Sequence, residues 1–141
     1  MAVAESCTGG FIAHRLTNVP GSSAYFLGGV IAYSDALKRT LLGVSPRLLQ
    51  RHGAVSRAVI AAMARGIRRR TNATVGLAVT GIAGPTGGAP RKPVGTIWIA
   101  VATPRRTRAW HQRFRGGRLA IKRQAAHAAL RHLLHAIVHR A

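Results

Sequence analysis

Residues 4–10 read AESCTGG, placing a serine, a cysteine and a threonine ahead of paired glycines where a short apolar run, MAVA, ends. A hydroxyl or thiol at a strand-to-helix turn can attack a carbonyl, and free backbone N–H groups at the helix start can hold the resulting oxyanion. Ser6 and Cys7 are therefore both candidate nucleophiles. Cys7 has no evident thiolate-forming partner beside it, and small buried thiols usually just pack. A serine needs a base. His14 falls on the first helix, His52 ends another, and the other five histidines lie at or beyond His111, none in an evident motif. Lys38 is the alternative base. Only three of the 22 Lys plus Arg residues are lysine; arginine serves wherever diffuse positive charge suffices, whereas a lysine can be desolvated until neutral and accept a proton. The surrounding arginines push its pKa down as well. On spacing alone a surface lysine is an equally good reading of Lys38, and Lys92, in the PRKP segment, reads as solvated.

A second chemical segment is VTGIAGPTGG, residues 79–88. It has a phosphate-cradling composition but lacks the GKS or GKT ending of a P-loop and does not match GxGxxG in register. Its useful groups are the Thr80 hydroxyl, at a strand end, and the N–H groups from Gly81 onward.

The elements that must position these groups follow from periodicity and punctuation. MAVA reads as the end of a buried strand. TGGFIAHRLTNV places Phe11, Ile12, Leu16 and Val19 at helical spacing, closed by Pro20 and Gly21. AYFLGGVIAYS, 24–34, reads as a strand, with Gly28 and Gly29 marking a bulge or close backbone approach. SDALKRTLLGV is a helix capped by Ser34 and stopped by Gly43. SPRLLQRHG starts at Ser45 with Pro46 in the first helical position. Ser56 opens a longer helix whose Val59, Ile60, Met63 and Ile67 form one apolar stripe. Strands follow at 74–80 and 94–103, separated by a Gly/Pro loop at 81–93, and a hairpin returns through TRAWHQRF. A final amphipathic helix runs from GRLAIKRQ onward, with Leu119, Ala126, Leu130, Leu133, Leu134 and Ile137 inward. The order β, α, β, α, α, α, β, β, β, α predicts a single α/β domain, a three-layer αβα sandwich around a mixed sheet, with active groups on the loops leaving the strand ends.

Composition limits the possibilities further. At 141 residues, with 48% hydrophobic residues, the chain is long enough for one core without disulfides. A single cysteine excludes an intramolecular disulfide framework. No apolar run approaches the roughly 20 residues of a membrane helix, and with no signal-peptide pattern the expected location is the cytoplasm. The 22 cations face only two carboxylates, Glu5 and Asp35, a formal net charge of +20. That scarcity excludes carboxylate metal sites, and it excludes paired-carboxylate catalysis unless Glu5 and Asp35 converge. The arginines are scattered rather than blocked, which favours a solvated basic surface over a dedicated nucleic-acid stripe, although nonspecific polyanion binding is expected either way. Apolar strand and helix surface left uncovered on so short a chain predicts a homo-oligomer.

AESCTGG, FLGGVIAYSDALKRTLLGV, HGAVS, VTGIAGPTGG and KPVGTIW, in this order, resemble the CinA C-terminal domain family, the nicotinamide-nucleotide amidases, over essentially all of residues 1–141. The resemblance implies hydrolysis of the carboxamide of nicotinamide mononucleotide to nicotinic acid mononucleotide and ammonia, with no metal or organic cofactor. It implies Ser6 as nucleophile and Lys38 as base, with Tyr33 and Thr80 supporting the pair by hydrogen bonds. Thr8, Gly9 and Gly10 would supply backbone around the oxyanion, and Gly81, Gly84 and Arg118 would bind the nucleotide. Two departures stand out. The family usually has a helix before the first strand, where this sequence has only MAVA, and its usual GDR before the last helix is GGR here, with Gly117 in place of the Asp. Alternative readings are a basic nucleic-acid-binding module on the same fold and an inactive copy.

Overall fold

The computed structural model describes residues 1–138. A five-stranded mixed sheet has the order β2-β1-β3-β4-β5, built from β1 (Ala2–Glu5), β2 (Gly28–Ile31), β3 (Gly76–Gly81), β4 (Thr96–Ala102) and β5 (Thr107–Arg113). β1 pairs in parallel with both β2 and β3, while β3, β4 and β5 form an antiparallel meander. The helices are α1 (Phe11–Thr17), α2 (Asp35–Leu42), α3 (Pro46–His52), α4 (Arg57–Arg70) and α5 (Arg118–Val138).

Alternation along the strands divides the core in two. Val3, Leu77, Val79, Ile97, Ile99 and Val101 face α1 and α5. Ala2, Ala4, Ala78, Ala100 and Ala102 face α4 and the turns before it. The side with small residues is the side of closest approach. A Cβ on Gly76 would stand 2.3 Å from the Ala64 carbonyl oxygen, and one on Gly66 would stand 2.0 Å from that of Leu42. α4 therefore lies almost directly on β3 and on the end of α2, and there is no room for larger side chains between them. The apolar stripe Val59, Ile60, Met63 and Ile67 is fully buried.

The helix starts follow the capping residues. The Ser34 hydroxyl accepts from Leu37 N and the Ser56 hydroxyl from Val59 N, and Pro46 opens α3. Three expectations are corrected. The strand expected over 24–34 shrinks to Gly28–Ile31, preceded by a 3-10 turn at Ser22–Ala24, because only this stretch lies in register with β1. Gly29 is nonetheless a site of close approach, since a Cβ there would meet Val3 Cγ2 at 2.4 Å. Val19 is exposed, since α1 ends at Thr17 and Val19 lies beyond its last turn. On α5, Ala126 and Leu133 are buried and Leu130 packs at the margin, but Leu119, Leu134 and Ile137 are exposed. The buried phase is Ile121, Ala125, Ala129 and Leu133. Alanines bring the helix onto the sheet, and the bulkier leucines are rotated outward. No helix among the described residues is long and apolar enough to cross a membrane.

Candidate active site

Three parallel strands end side by side, and each delivers a polar group at or just beyond its C-terminal end: Ser6 after β1, Tyr33 after β2 and Thr80 within β3. The chain leaves β1 towards the α1 layer and β2 towards the α2–α4 layer, which opens a crevice at this edge of the sheet. Lys38, on the first turns of α2, reaches into it. The side chain is only 2% exposed. Its Nζ lies 3.3 Å from Ser6 Oγ and donates to the Tyr33 carbonyl at 3.1 Å, with Asp35 Oδ1 at 3.7 Å.

Burial pushes the Lys38 amine below its ordinary pKa of 10.5, and the charge of Asp35, one turn earlier, pulls the other way. A buried amine held towards neutrality next to a hydroxyl is a proton acceptor in place. Cys7, one residue on, is the opposite case. Burial pushes its thiol up to about 12, so it stays protonated and packs into the core with Val3 and Ile12.

Glu5 does not join this chemistry. Its carboxylate is buried and accepts from Ile12 N at 2.9 Å and Ala13 N at 3.0 Å, capping the start of α1 from the neighbouring strand. Phe11 N donates to Thr8 O and His14 N to Gly10 O. The N–H groups of the first turn of α1 are thus all taken, and the expectation that this helix start holds an oxyanion is corrected. Within the turn itself, Ser6 N donates to Val79 O and Gly9 N to Ser6 O. The N–H groups of Cys7 and Thr8 donate to no backbone or side-chain oxygen among the described residues. Glu5→Ala, which leaves two buried donors without an acceptor, should cost about 2 kcal/mol and lower the melting midpoint by about 6 °C in a thermal scan. A shift under about 1 °C would show that the cap contributes little.

The crevice is a cavity of about 290 Å³ lined by Ser6, Cys7, Tyr33, Asp35, Lys38, Ala54, Val55, Thr80, Gly81, Ile82, Ala83, Gly84, Thr86, Gly87 and Arg118. It brings together seven of the residues singled out from sequence: Ser6, Lys38, Tyr33, Thr80, Gly81, Gly84 and Arg118. Thr8, Gly9 and Gly10 lie outside it. Gly9 and Gly10 instead make the turn into α1 with positive φ values of 58° and 99°, which favour glycine. The supporting hydrogen bonds also differ from expectation. The Thr80 hydroxyl donates to Ala54 O at 3.2 Å rather than to the pair. Tyr33 supports Lys38 through its backbone carbonyl, while its phenol oxygen accepts from Arg118 Nη2 at 2.9 Å. Arg118 Nη1 donates to Gly84 O at 2.7 Å, so the guanidinium spans the rim between the α2 side and the Gly/Pro loop. Lys92 is not simply solvated: it donates to His52 O at 2.8 Å and ties the Gly/Pro loop to the end of α3. Ala54, Val55, Thr86 and Gly87 were not identified from sequence, although they fall in the HGAVS and VTGIAGPTGG segments. Two larger cavities, of about 470 and 520 Å³, lie between α5 and β5 and carry arginine, histidine and aromatic side chains but no serine, cysteine or lysine. Among the described residues no group of three or more His, Cys, Asp or Glu is placed to hold a metal ion.

Fold and site together define a small three-layer α/β domain with a buried serine–lysine pair where its parallel strands end. The chain belongs to the CinA C-terminal domain family, whose model matches residues 1–137. A CinA-like protein of Acidobacterium capsulatum is 54% identical over 130 residues, which make up 92% of this chain and 31% of that protein. One from Gemmatimonas aurantiaca is 48% identical over 141 residues and 33% of its own length. The chain thus spans about a third of the length of the curated relatives it matches. Among solved structures, competence damage-inducible protein A from Klebsiella pneumoniae matches with a TM-score of 0.94 at 36% identity, covering 98% of this chain and 86% of that one. Competence/damage inducible protein CihA from Agrobacterium tumefaciens matches with a TM-score of 0.92 at 41% identity, covering 94% and 82%.

Proposed function

We propose that the domain hydrolyses the carboxamide of nicotinamide mononucleotide, releasing ammonia and nicotinic acid mononucleotide, with Ser6 as nucleophile and Lys38 as general base. The observation that carries this reading is the 3.3 Å approach of the buried Lys38 Nζ to Ser6 Oγ. The neutral amine takes the hydroxyl proton as Oγ attacks the carboxamide carbon. The ammonium so formed is held by the Tyr33 carbonyl and Asp35 until it returns the proton to the departing nitrogen. Ammonia leaves an acyl ester on Ser6, and water, activated by the same amine, cleaves that ester to the acid. The N–H of Cys7, at the wall of the cavity, is the donor we assign to the oxyanion. Arg118 and the N–H groups of Thr86 and Gly87 stand at the rim for the phosphate.

A second reading is polyanion binding. It is favoured by the net charge of +20 and by Arg15, Arg123 and Arg131 around one α5 cavity. The test separates the two: nuclease-treated protein is assayed for ammonia release from nicotinamide mononucleotide at moderate salt. Sustained turnover supports the amidase. A folded protein with no turnover, and with affinity for nucleic acid that falls steeply with salt, supports the binding module.

A further inference from the structure

The two edges of the sheet are treated differently. β5 carries Arg108, His111 and Arg113 exposed along its length, the usual protection of an edge strand against pairing with another chain. β2, at the opposite edge, carries no charge at all. Residues 16–37 contain no Lys, Arg or His, in a chain with 22 Lys plus Arg and seven His. That stretch also holds much of the exposed apolar surface: Val19 is 52% exposed, Tyr25 41%, Leu27 61% and Ile31 50%. These side chains follow one another along β2 and the segment that leads into it. Tyr25 OH donates to Leu16 O and ties that segment to α1, and Ile31 Cδ1 lies against the Gly10 turn. Arg15, which precedes the stretch, faces the α5 cavity instead.

We infer that this β2 edge, from Val19 to Ile31, is a self-association face that takes a second copy of the same chain, β2 beside β2 across a two-fold axis. Charge selects the occupant. A copy carrying +20 is repelled by most of this surface, and the β2 edge is the exposed apolar region where two copies meet without bringing cations together. The other exposed apolar residues on α5, Leu119, Leu134, Ile137 and Val138, are interleaved with Arg123, His127, Arg131 and His135, so pairing there stacks like charges. β2 has only four residues and supplies few ladder bonds, so apolar contact carries the association. The face does not depend on the amidase chemistry.

The test is sedimentation velocity on the nuclease-treated full chain at micromolar concentration, with Leu27→Lys, Val19→Lys and Leu134→Lys variants checked for fold by circular dichroism. The expected result is a species of twice the 15.0 kDa chain mass that survives about 0.5 M salt, where exposed charge interactions are largely screened. Leu27→Lys and Val19→Lys should each weaken it at least about tenfold, the effect of roughly 1.4 kcal/mol, and Leu134→Lys should leave it intact. A monomeric wild-type protein would overturn the proposal, as would a dimer dispersed by salt or one that Leu134→Lys breaks and Leu27→Lys does not. Should Leu27→Lys fail to fold, Val19→Lys, which lies outside any helix or strand, decides the matter alone.

Discussion

Ser6→Ala is expected to remove at least about 10³-fold of kcat/KM on nicotinamide mononucleotide, and Lys38→Met a comparable amount, with the double variant no worse than either single one. The reasoning is geometric. Ser6 Oγ and Lys38 Nζ, 3.3 Å apart, act as one unit, because an unactivated hydroxyl is a poor nucleophile and a buried amine without it has no proton to accept. Loss of either disables the same step. Cys7→Ala should keep turnover within a few-fold of wild type. Its thiol, pushed up to about 12, is ionised to only about one part in 10⁴ at pH 8. Initial rates of ammonia release, with circular dichroism to confirm folding, decide the matter. A folded Cys7→Ala protein without activity, or a Ser6→Ala protein that retains it, would reassign the nucleophile.

Much of the fold was legible because local signals agreed with tertiary ones. Ser34, Ser56 and Pro46 mark helix starts in the sequence and in the structure alike, and the order of strands and helices is the one read from periodicity. What was not legible depended on distant packing. Leucine weighed more than alanine in phasing α5, yet α5 rests on the sheet through Ala125 and Ala129, since a helix that comes close to a sheet needs small side chains there. The length of β2 depended on its register with β1, which nothing within residues 24–34 encodes.

The site shows the same division. The residue types at Ser6 and Lys38 were readable because a lysine is rare among these cations, and their 32-residue separation is closed by β1 and α2 flanking one crevice. Glu5 was read as an acid beside the chemistry, whereas it caps α1 from inside the core. A carboxylate that accepts from backbone N–H groups seven and eight residues away has no local sequence signature. The partners of Tyr33 and Thr80 likewise depend on where the Ala54 carbonyl and the Arg118 guanidinium arrive, through loops whose paths are set by contacts such as that of Lys92 with His52 O.

The pH dependence of turnover follows from the protonation of Lys38. The active form is the neutral amine, and burial holds its pKa below 10.5. kcat/KM should therefore rise tenfold per pH unit on the acid side and level off once pH exceeds the lowered value. A flat profile from about pH 6 to 10 would sink the assignment. Asp35, at 3.7 Å, favours the ammonium, so Asp35→Asn should move the rise to lower pH without removing the plateau. A variant whose rise moves to higher pH would show that Asp35 does not act through the amine. The same shift appears in stability. Between the lowered folded value and 10.5 the unfolded chain binds more protons at this position, so wild-type stability rises with pH across that window. Below the folded value both states hold the proton, and the full cost of burying an ammonium is present; above 10.5 neither does. Lys38→Met removes that linkage. Urea denaturation of the two proteins across this range should give curves that diverge in favour of the variant as pH falls, and parallel curves would mean that the amine is solvated in the folded protein.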